Sequence, residues 1–162
     1  MTIIFLGAND AVLKETNPQQ HVALNTFEAN LKSLCEPFQR HHIPLILITP
    51  PPIYEAHWDH HRRLSGRFMD RSAQQTAIYA SRVVEVGRSL NTPVVDIHSI
   101  MLEHVKSESG KSGVPGDEVL AGLFCDGLHL SKEGNQMVFR EVIRVIHASF
   151  PNLHVDRLRM EV

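Results

Sequence analysis

Two short segments carry the side chains best suited to acid–base chemistry: Cys125-Asp126-Gly127-Leu128-His129-Leu130-Ser131 and Gly7-Ala8-Asn9-Asp10. Asp126 and His129 stand three residues apart, so on one helical turn they would share a face. A carboxylate beside an imidazole fixes the ring tautomer and leaves the second nitrogen free as a general base. The same spacing also suits a helix-capping aspartate followed by a surface histidine. Asn9 has a similar pair of readings. It is either a turn residue, because Asn and Asp tolerate left-handed backbone angles, or a donor of its amide N–H to a developing oxyanion. Cys125 lies four residues before His129. A thiolate paired with imidazole is a workable nucleophile, but a small apolar filler is the plainer role for this cysteine. Ser99 and Ser131 have no positional support as substitutes. The chain holds eleven histidines, including the run His57-Trp58-Asp59-His60-His61. There is no H-E-x-x-H, no cysteine pairing and no acidic cluster beyond Asp59, so neither a metal site nor a cofactor is expected.

The elements that would position these segments alternate. Ile3-Ile4-Phe5-Leu6 is a short apolar strand stopped by Gly7 and the turn formers Asn9-Asp10, and residues 14–21 read as polar loop. From Val22 a helical period places Phe27, Leu31, Leu34 and Phe38 inward, ending near His41-His42 before Pro44. Leu45-Ile46-Leu47-Ile48-Thr49 is apolar throughout and closed by Pro50-Pro51-Pro52, the pattern of a parallel strand covered on both faces. Residues 53–70 read as a long connection. A helix follows from Ser72 to Leu90 with Ala77, Ala80, Val84, Gly87 and Leu90 inward, and then a third strand at Pro93-Val94-Val95-Asp96. Ser99–Val105 reads as one or two helical turns, and residues 107–116 as flexible. Gly134–Phe150 forms a last amphipathic helix with Val138, Val142, Val145 and Ile146 on one face. This order implies βαβ units in a three-layer α/β/α domain, one domain over residues 1–162.

Composition narrows the function classes. The 162 residues carry 16 Lys+Arg against 18 Asp+Glu, a formal charge of −2, which argues against a nucleic-acid partner. No apolar run is long enough to span a bilayer, and the N-terminus has no basic segment of the kind that opens a signal peptide. Two cysteines imply no disulfide framework, and a reducing, cytoplasmic compartment is expected.

Taken in order, the strand into G-A-N-D, the strand into T-P-P-P and D-G-L-H-L-S before the terminal helix resemble the SGNH (GDSL-type) hydrolase superfamily. Within it the chain is most similar to the isoamyl acetate-hydrolysing esterase group, through its LGANDA and DGLHLS segments. The resemblance covers nearly the whole chain. It implies a flavodoxin-like parallel sheet and hydrolysis of small acyl esters by a Ser-His-Asp mechanism without metal or cofactor. Residue by residue, Asn9 matches the oxyanion-hole asparagine and Gly7 the glycine of that block, while Asp126 and His129 match the triad acid and base.

The family's Gly-Asp-Ser nucleophile and its second oxyanion donor lie upstream of the G-A-N-D block, and no Gly-Asp-Ser occurs in these residues; Gly116-Asp117 is followed by Glu118. Loss of a serine nucleophile costs about 10⁶ in turnover, so the chain alone is expected to be weak or inactive. The resemblance also implies that the first two strands are missing, leaving Ile3–Leu6 as an open apolar edge that would pair with another copy or another strand. A truncated, non-catalytic form that binds the full-length esterase, through this edge or the 151–162 tail, is the alternative. Residues 53–70 and 107–124 are the expected walls of an acyl or alcohol pocket, with Trp58, Phe68 and Phe124 as their aromatic residues.

Overall fold

Leu45-Ile46-Leu47-Ile48 is apolar at every position because protein covers it on both sides. In the computed structural model, which describes residues 1–153, the elements run β1 (Thr2–Phe5), α1 (Leu24–Arg40), β2 (Leu45–Ile48), α2 (Glu55–Leu64), α3 (Ala73–Ser89) and β3 (Val94–Val95). They continue with α4 (Ile97–Ser112), α5 (Gly116–Gly122), α6 (Lys132–Ser149) and a final 3₁₀ turn, Pro151–Leu153. The strands form a parallel sheet in the order β1-β2-β3, with Thr2 opposite Leu45 and Leu47 opposite Val94. Alternation along β2 sends Leu45 and Leu47 into one core with Phe27, Leu31 and Cys35 of α1 and Tyr79, Val83 and Val86 of α3. Ile46 and Ile48 enter the other, with Met101 of α4, Leu123, Phe124, and Met137, Val145 and Ile146 of α6. Each buried aliphatic side chain stabilises the fold by about 1.5–3 kcal/mol. The result is the expected three-layer α/β/α arrangement.

Strand β1 differs from β2. It lies at the edge of the described sheet, and Ile3 and Phe5 remain 41% and 40% exposed, followed by Leu6 at 46%. One set of its backbone N–H and C=O groups has no neighbouring strand among the described residues.

Several expectations are corrected. Residues 53–70 are not simply a connection, since α2 occupies Glu55–Leu64. Its apolar period is invisible because Trp58 is its one buried residue, and it is held locally by the Asp59–Arg63 ion pair one turn apart, 2.7 Å. The segment expected to be flexible, 107–116, is largely helical. It completes α4, which ends at Gly113 in the left-handed conformation, and begins α5. In α1, Leu34 is 48% exposed and Cys35 takes the inward position instead. In α3 the buried face is Thr76, Tyr79, Ala80, Val83, Val86 and Gly87; Ala80 and Gly87 are inward as expected and Leu90 packs on the core just past the helix, but Thr76 and Val83 take the places expected of Ala77 and Val84. On α6, Val138 and Val142 are only partly buried, and Gly134 and Met137 share the inner face with Val145 and Ile146. His154 and most of the 151–162 tail lie outside the described residues.

Gly87 allows α3 to lie against the strand that follows it. A Cβ there would collide with the Val94 side chain and come within 3.0 Å of the Thr92 carbonyl oxygen. Gly87→Ala is therefore expected to destabilise the protein by about 1–3 kcal/mol, despite alanine's better helix propensity. Urea denaturation midpoints measure the loss, and adding Val94→Ala should recover part of it.

Candidate active site

The turn after β1 is built around a backbone that only glycine adopts readily. Gly7 has φ +110°, and a Cβ there would sit 3.1 Å from the Phe27 ring and 3.4 Å from Pro50. The chain can thus turn tightly over α1 and the end of β2, closed by the Ala11 N–H donating to the Gly7 carbonyl at 3.0 Å. Asn9 is exposed at its tip.

Asp126 and His129 are not on a helix. They belong to a compact turn in which Asp126 Oδ1 accepts from the backbone N–H groups of Leu128 (2.9 Å) and His129 (2.8 Å). The other oxygen, Oδ2, takes His129 Nδ1 at 2.7 Å. An ionised carboxylate only accepts, so Nδ1 carries the proton and Nε2 is the basic nitrogen of the neutral ring. The two side chains are unequally exposed, Asp126 at 17% and His129 at 70%. Burial pushes the Asp126 carboxyl up, but the hydrogen bond from the His129 ring, the two backbone N–H donors and the charge His129 carries when protonated outweigh it and hold the carboxyl below its ordinary value. Cys125 does not face the ring: its N–H donates to the His129 carbonyl at 2.7 Å, and its thiol lies 3.5 Å from the Leu130 carbonyl oxygen.

Gly127 seats this turn on α2. It has φ +92°, and a Cβ there would strike the Tyr54 carbonyl and lie 2.6 Å from the Trp58 backbone nitrogen. Its own carbonyl accepts from the Tyr54 N–H at 2.8 Å. The close approach brings the Trp58 indole edge-on to the His129 ring, with centroids 6.1 Å apart at 74°.

Trp58 also links the dyad to the Asn9 turn, through residues that periodicity and motif spacing did not single out. Arg71, 6% exposed, sits over the indole with its guanidinium 5.7 Å from the ring centroid. From there Nη1 donates to the Ala8 carbonyl and Nη2 to Asn9 Oδ1 at 3.0 Å. Arginine has no acceptor, so the atom it meets on Asn9 must be the oxygen, and the amide NH₂ is turned away from the guanidinium. Burial pulls the Arg71 pKa down, Asp70 opposes that shift, and Arg62 adds to it. Asp70, 2% exposed, accepts from the Trp58 indole N–H at 2.9 Å and pairs with Arg62 at 3.2 Å. Thus Asn9, Arg71, Trp58, His129 and Asp126 form one contiguous set. Asp70-Arg71, adjacent charges at the end of a polar stretch, gave no sequence signal of burial, because all their partners except each other are distant in sequence.

Of the expected pocket aromatics, Trp58 borders the dyad, Phe124 is buried in the core and Phe68 is 84% exposed. Among the described residues no three His, Cys, Asp or Glu side chains converge to hold a metal ion. In the histidine run, His57 packs on Tyr54 and His61 stacks on Trp58. His98 is buried: its backbone N–H donates to Thr49 Oγ1 at 3.0 Å, and its ring Nδ1 lies 3.3 Å from the Pro50 carbonyl oxygen. No helix among the described residues is long and apolar enough to cross a membrane.

Comparison with known proteins bears on the family and the fold. The family model of GDSL-like lipases/acylhydrolases matches residues 1–142. The chain is 35% identical over 139 residues to the isoamyl acetate-hydrolyzing esterase 1 homolog of Rattus norvegicus, covering 84% of this chain and 51% of that protein. It is 31% identical to the Homo sapiens homolog over 153 residues, covering 93% of this chain and 56% of that protein. The chain thus spans about half the length of these curated relatives. The crystal structure of the lipase/acylhydrolase from Enterococcus faecalis superposes with a TM-score of 0.60 at 28% identity, covering 90% of this chain and 60% of that one. With its family model matched across most of its length and its α/β architecture shared, the chain belongs to the GDSL-like lipase/acylhydrolase family.

Proposed function

We propose that this chain supplies the general base, its orienting acid and one oxyanion donor of a carboxylic ester hydrolase acting on short-chain, acetate-type esters. The observation that carries this reading is the 2.7 Å Asp126–His129 pair, joined through Trp58 and Arg71 to the Asn9 amide. His129 Nε2 accepts the proton of an attacking hydroxyl, and Asp126 holds the ring and stabilises the imidazolium that forms. Asn9 Nδ2 and Gly7 belong to the oxyanion side, where the amide N–H donates to the oxygen of the tetrahedral intermediate. The imidazolium then returns its proton to the departing alcohol, and water attacks the acyl group in a second, equivalent cycle. Arg71 acts as a positioning residue by gripping the Asn9 oxygen. The hydroxyl comes from polypeptide outside these residues, which contain no Gly-Asp-Ser, so the chain alone turns over weakly or not at all. A cytoplasmic setting fits its two unpaired cysteines.

A second reading rests on β1. Its half-exposed Ile3 and Phe5, and an edge unpaired among the described residues, suit strand pairing with another copy, or with a full-length esterase, in a non-catalytic role. Sedimentation velocity of the wild type and Ile3→Lys tests it. A wild-type dimer that the lysine dissociates supports pairing, and a wild-type monomer rejects it.

The 162-residue protein should give no hydrolysis of a short acyl ester above buffer that is sensitive to His129→Ala. Mixed with the N-terminal half of the Rattus norvegicus relative, it should gain turnover that falls about 10⁴-fold in Asp126→Asn and about 10²–10³-fold in Asn9→Ala. A folded, mixed complex without His129-dependent turnover would sink the hydrolase reading.

Arg71→Lys in the same mixture should lower kcat by about tenfold or more with little change in KM, because lysine cannot grip Ala8 and Asn9 together. Equal losses in Arg71→Lys and Arg71→Ala, confined to thermal stability, would make the arginine structural only.

Asp126 also gives a pH signature. Its folded pKa is depressed, so the stability it contributes is present above the unfolded value of about 4 and is lost as pH falls through the folded value. The stability gap between wild type and Asp126→Asn should therefore close in acid, as read by urea midpoints at successive pH values.

A further inference from the structure

The most exposed large apolar side chains among the described residues are Phe68, at 84%, and Leu64, at 75%. They stand four residues apart, on either side of a tight turn that ends α2, and this turn is ordered. Ser65 and Arg67 donate their backbone N–H groups to the Arg62 carbonyl at 3.0 Å, and Gly66 donates to Arg63 at 3.0 Å. Arg62 Nε returns a hydrogen bond to the Phe68 carbonyl, also 3.0 Å. Gly66, at φ +67°, faces open space and adopts the left-handed angle that reverses the chain. The backbone is thus braced while both side chains project into water, a costly arrangement for about two hydrophobic residues' worth of surface.

Charge sets the nature of what would cover them. Residues 59–71 hold Arg62, Arg63, Arg67 and Arg71 against Asp59 and Asp70, in a chain whose net charge is −2. Arg62 pairs with Asp70 and Arg63 with Asp59, and Arg71 is buried in the clamp on Asn9, which leaves Arg67 in surplus at the surface. Asp59, Arg63, Gly66, Arg67, Phe68 and Met69 line a surface recess of about 500 Å³ that none of Asn9, Asp126 or His129 borders. The surplus Arg67 guanidinium between a projecting leucine and phenylalanine is complementary to a surface that is anionic outside and apolar within. The same helix carries Trp58 against His129.

We propose that the end of α2 and the turn after it, through Leu64, Phe68 and Arg67, dock this protein on an anionic lipid surface. Leu64 and Phe68 enter the headgroup–acyl boundary, and Arg67 meets lipid phosphates and carboxylates. A surface so placed would hold the dyad beside the phase in which sparingly soluble esters collect. The binding does not depend on the esterase reading, since it is measured without catalysis.

The test is sedimentation of the 162-residue protein with phosphatidylcholine vesicles, with and without phosphatidylserine, at low and high salt. Expected are binding to the anionic vesicles that weakens with salt, and a loss of about tenfold or more in Leu64→Glu/Phe68→Glu. Arg67→Glu should weaken it severalfold, and Phe139→Glu, a charge at the 66% exposed position on α6, should leave it unchanged. Should the double glutamate variant fail to fold by circular dichroism, Leu64→Ser/Phe68→Ser takes its place. No wild-type binding to anionic vesicles, or equal binding by the patch variants, overturns the proposal. So does an equal loss in Phe139→Glu. Conversion of a wild-type dimer to monomer by the patch variants, with vesicle binding intact, overturns it in favour of contact between copies.

Discussion

The Asp70 carboxylate is the point on which the site's geometry depends. It is almost fully buried, yet it meets the Trp58 indole N–H, the Arg62 guanidinium and the Asn17 amide, the last at 3.3 Å. Arg71 lies alongside it, with Nε 3.9 Å from Oδ1, and that buried Nε makes no hydrogen bond. Water cannot solvate these groups, so their charges and dipoles must satisfy one another, and few arrangements of α2, the Asn9 turn and the start of α3 allow it. Buried ionic clusters of this kind contribute little net stability and are better understood as fixing one geometry among many.

That constraint has a counterpart on the other side of Trp58. Gly127 brings the Asp126–His129 turn against the first turn of α2 at a distance no side chain would permit. Among the groups that hold the Trp58 ring are the Arg71 guanidinium over it and the His129 imidazole set edge-on to it. Neither contact is strong alone, at about 0.5–2 kcal/mol. Their value is positional, because the amide held by Arg71 and the imidazole held by Asp126 are referred to the same rigid indole.

Much of this was legible in the chain, and the limits have physical causes. The apolar run in β2 announced a strand buried on both faces, and the short G-A-N-D and D-G-L-H-L-S segments marked the candidate site residues. Helix α2 escaped notice because it buries only Trp58 and shows no apolar stripe. Part of the inward face of α3 falls one residue from the expected one because Tyr79 and Thr76, polar by type, are buried: the Tyr79 hydroxyl donates to the Val22 carbonyl and Thr76 Oγ1 to that of Ser72. The Ser and Gly content of residues 107–116 reads as flexible, yet Glu108 supports the last turn of α4 through Lys111 and Ser112.

By itself the sequence determined whatever depends on near neighbours. The carboxylate three residues before the imidazole makes its Asx-type turn and its ring contact within that span, and a glycine stands where the chain must turn after β1. Tertiary structure decided which distant groups complete the site. Arg71 reaches back across 62 residues to the Asn9 oxygen, and Asp70 across 12 to the Trp58 indole. Such contacts leave no local period or motif, because they arise only when folding strips water from charges that must then find each other.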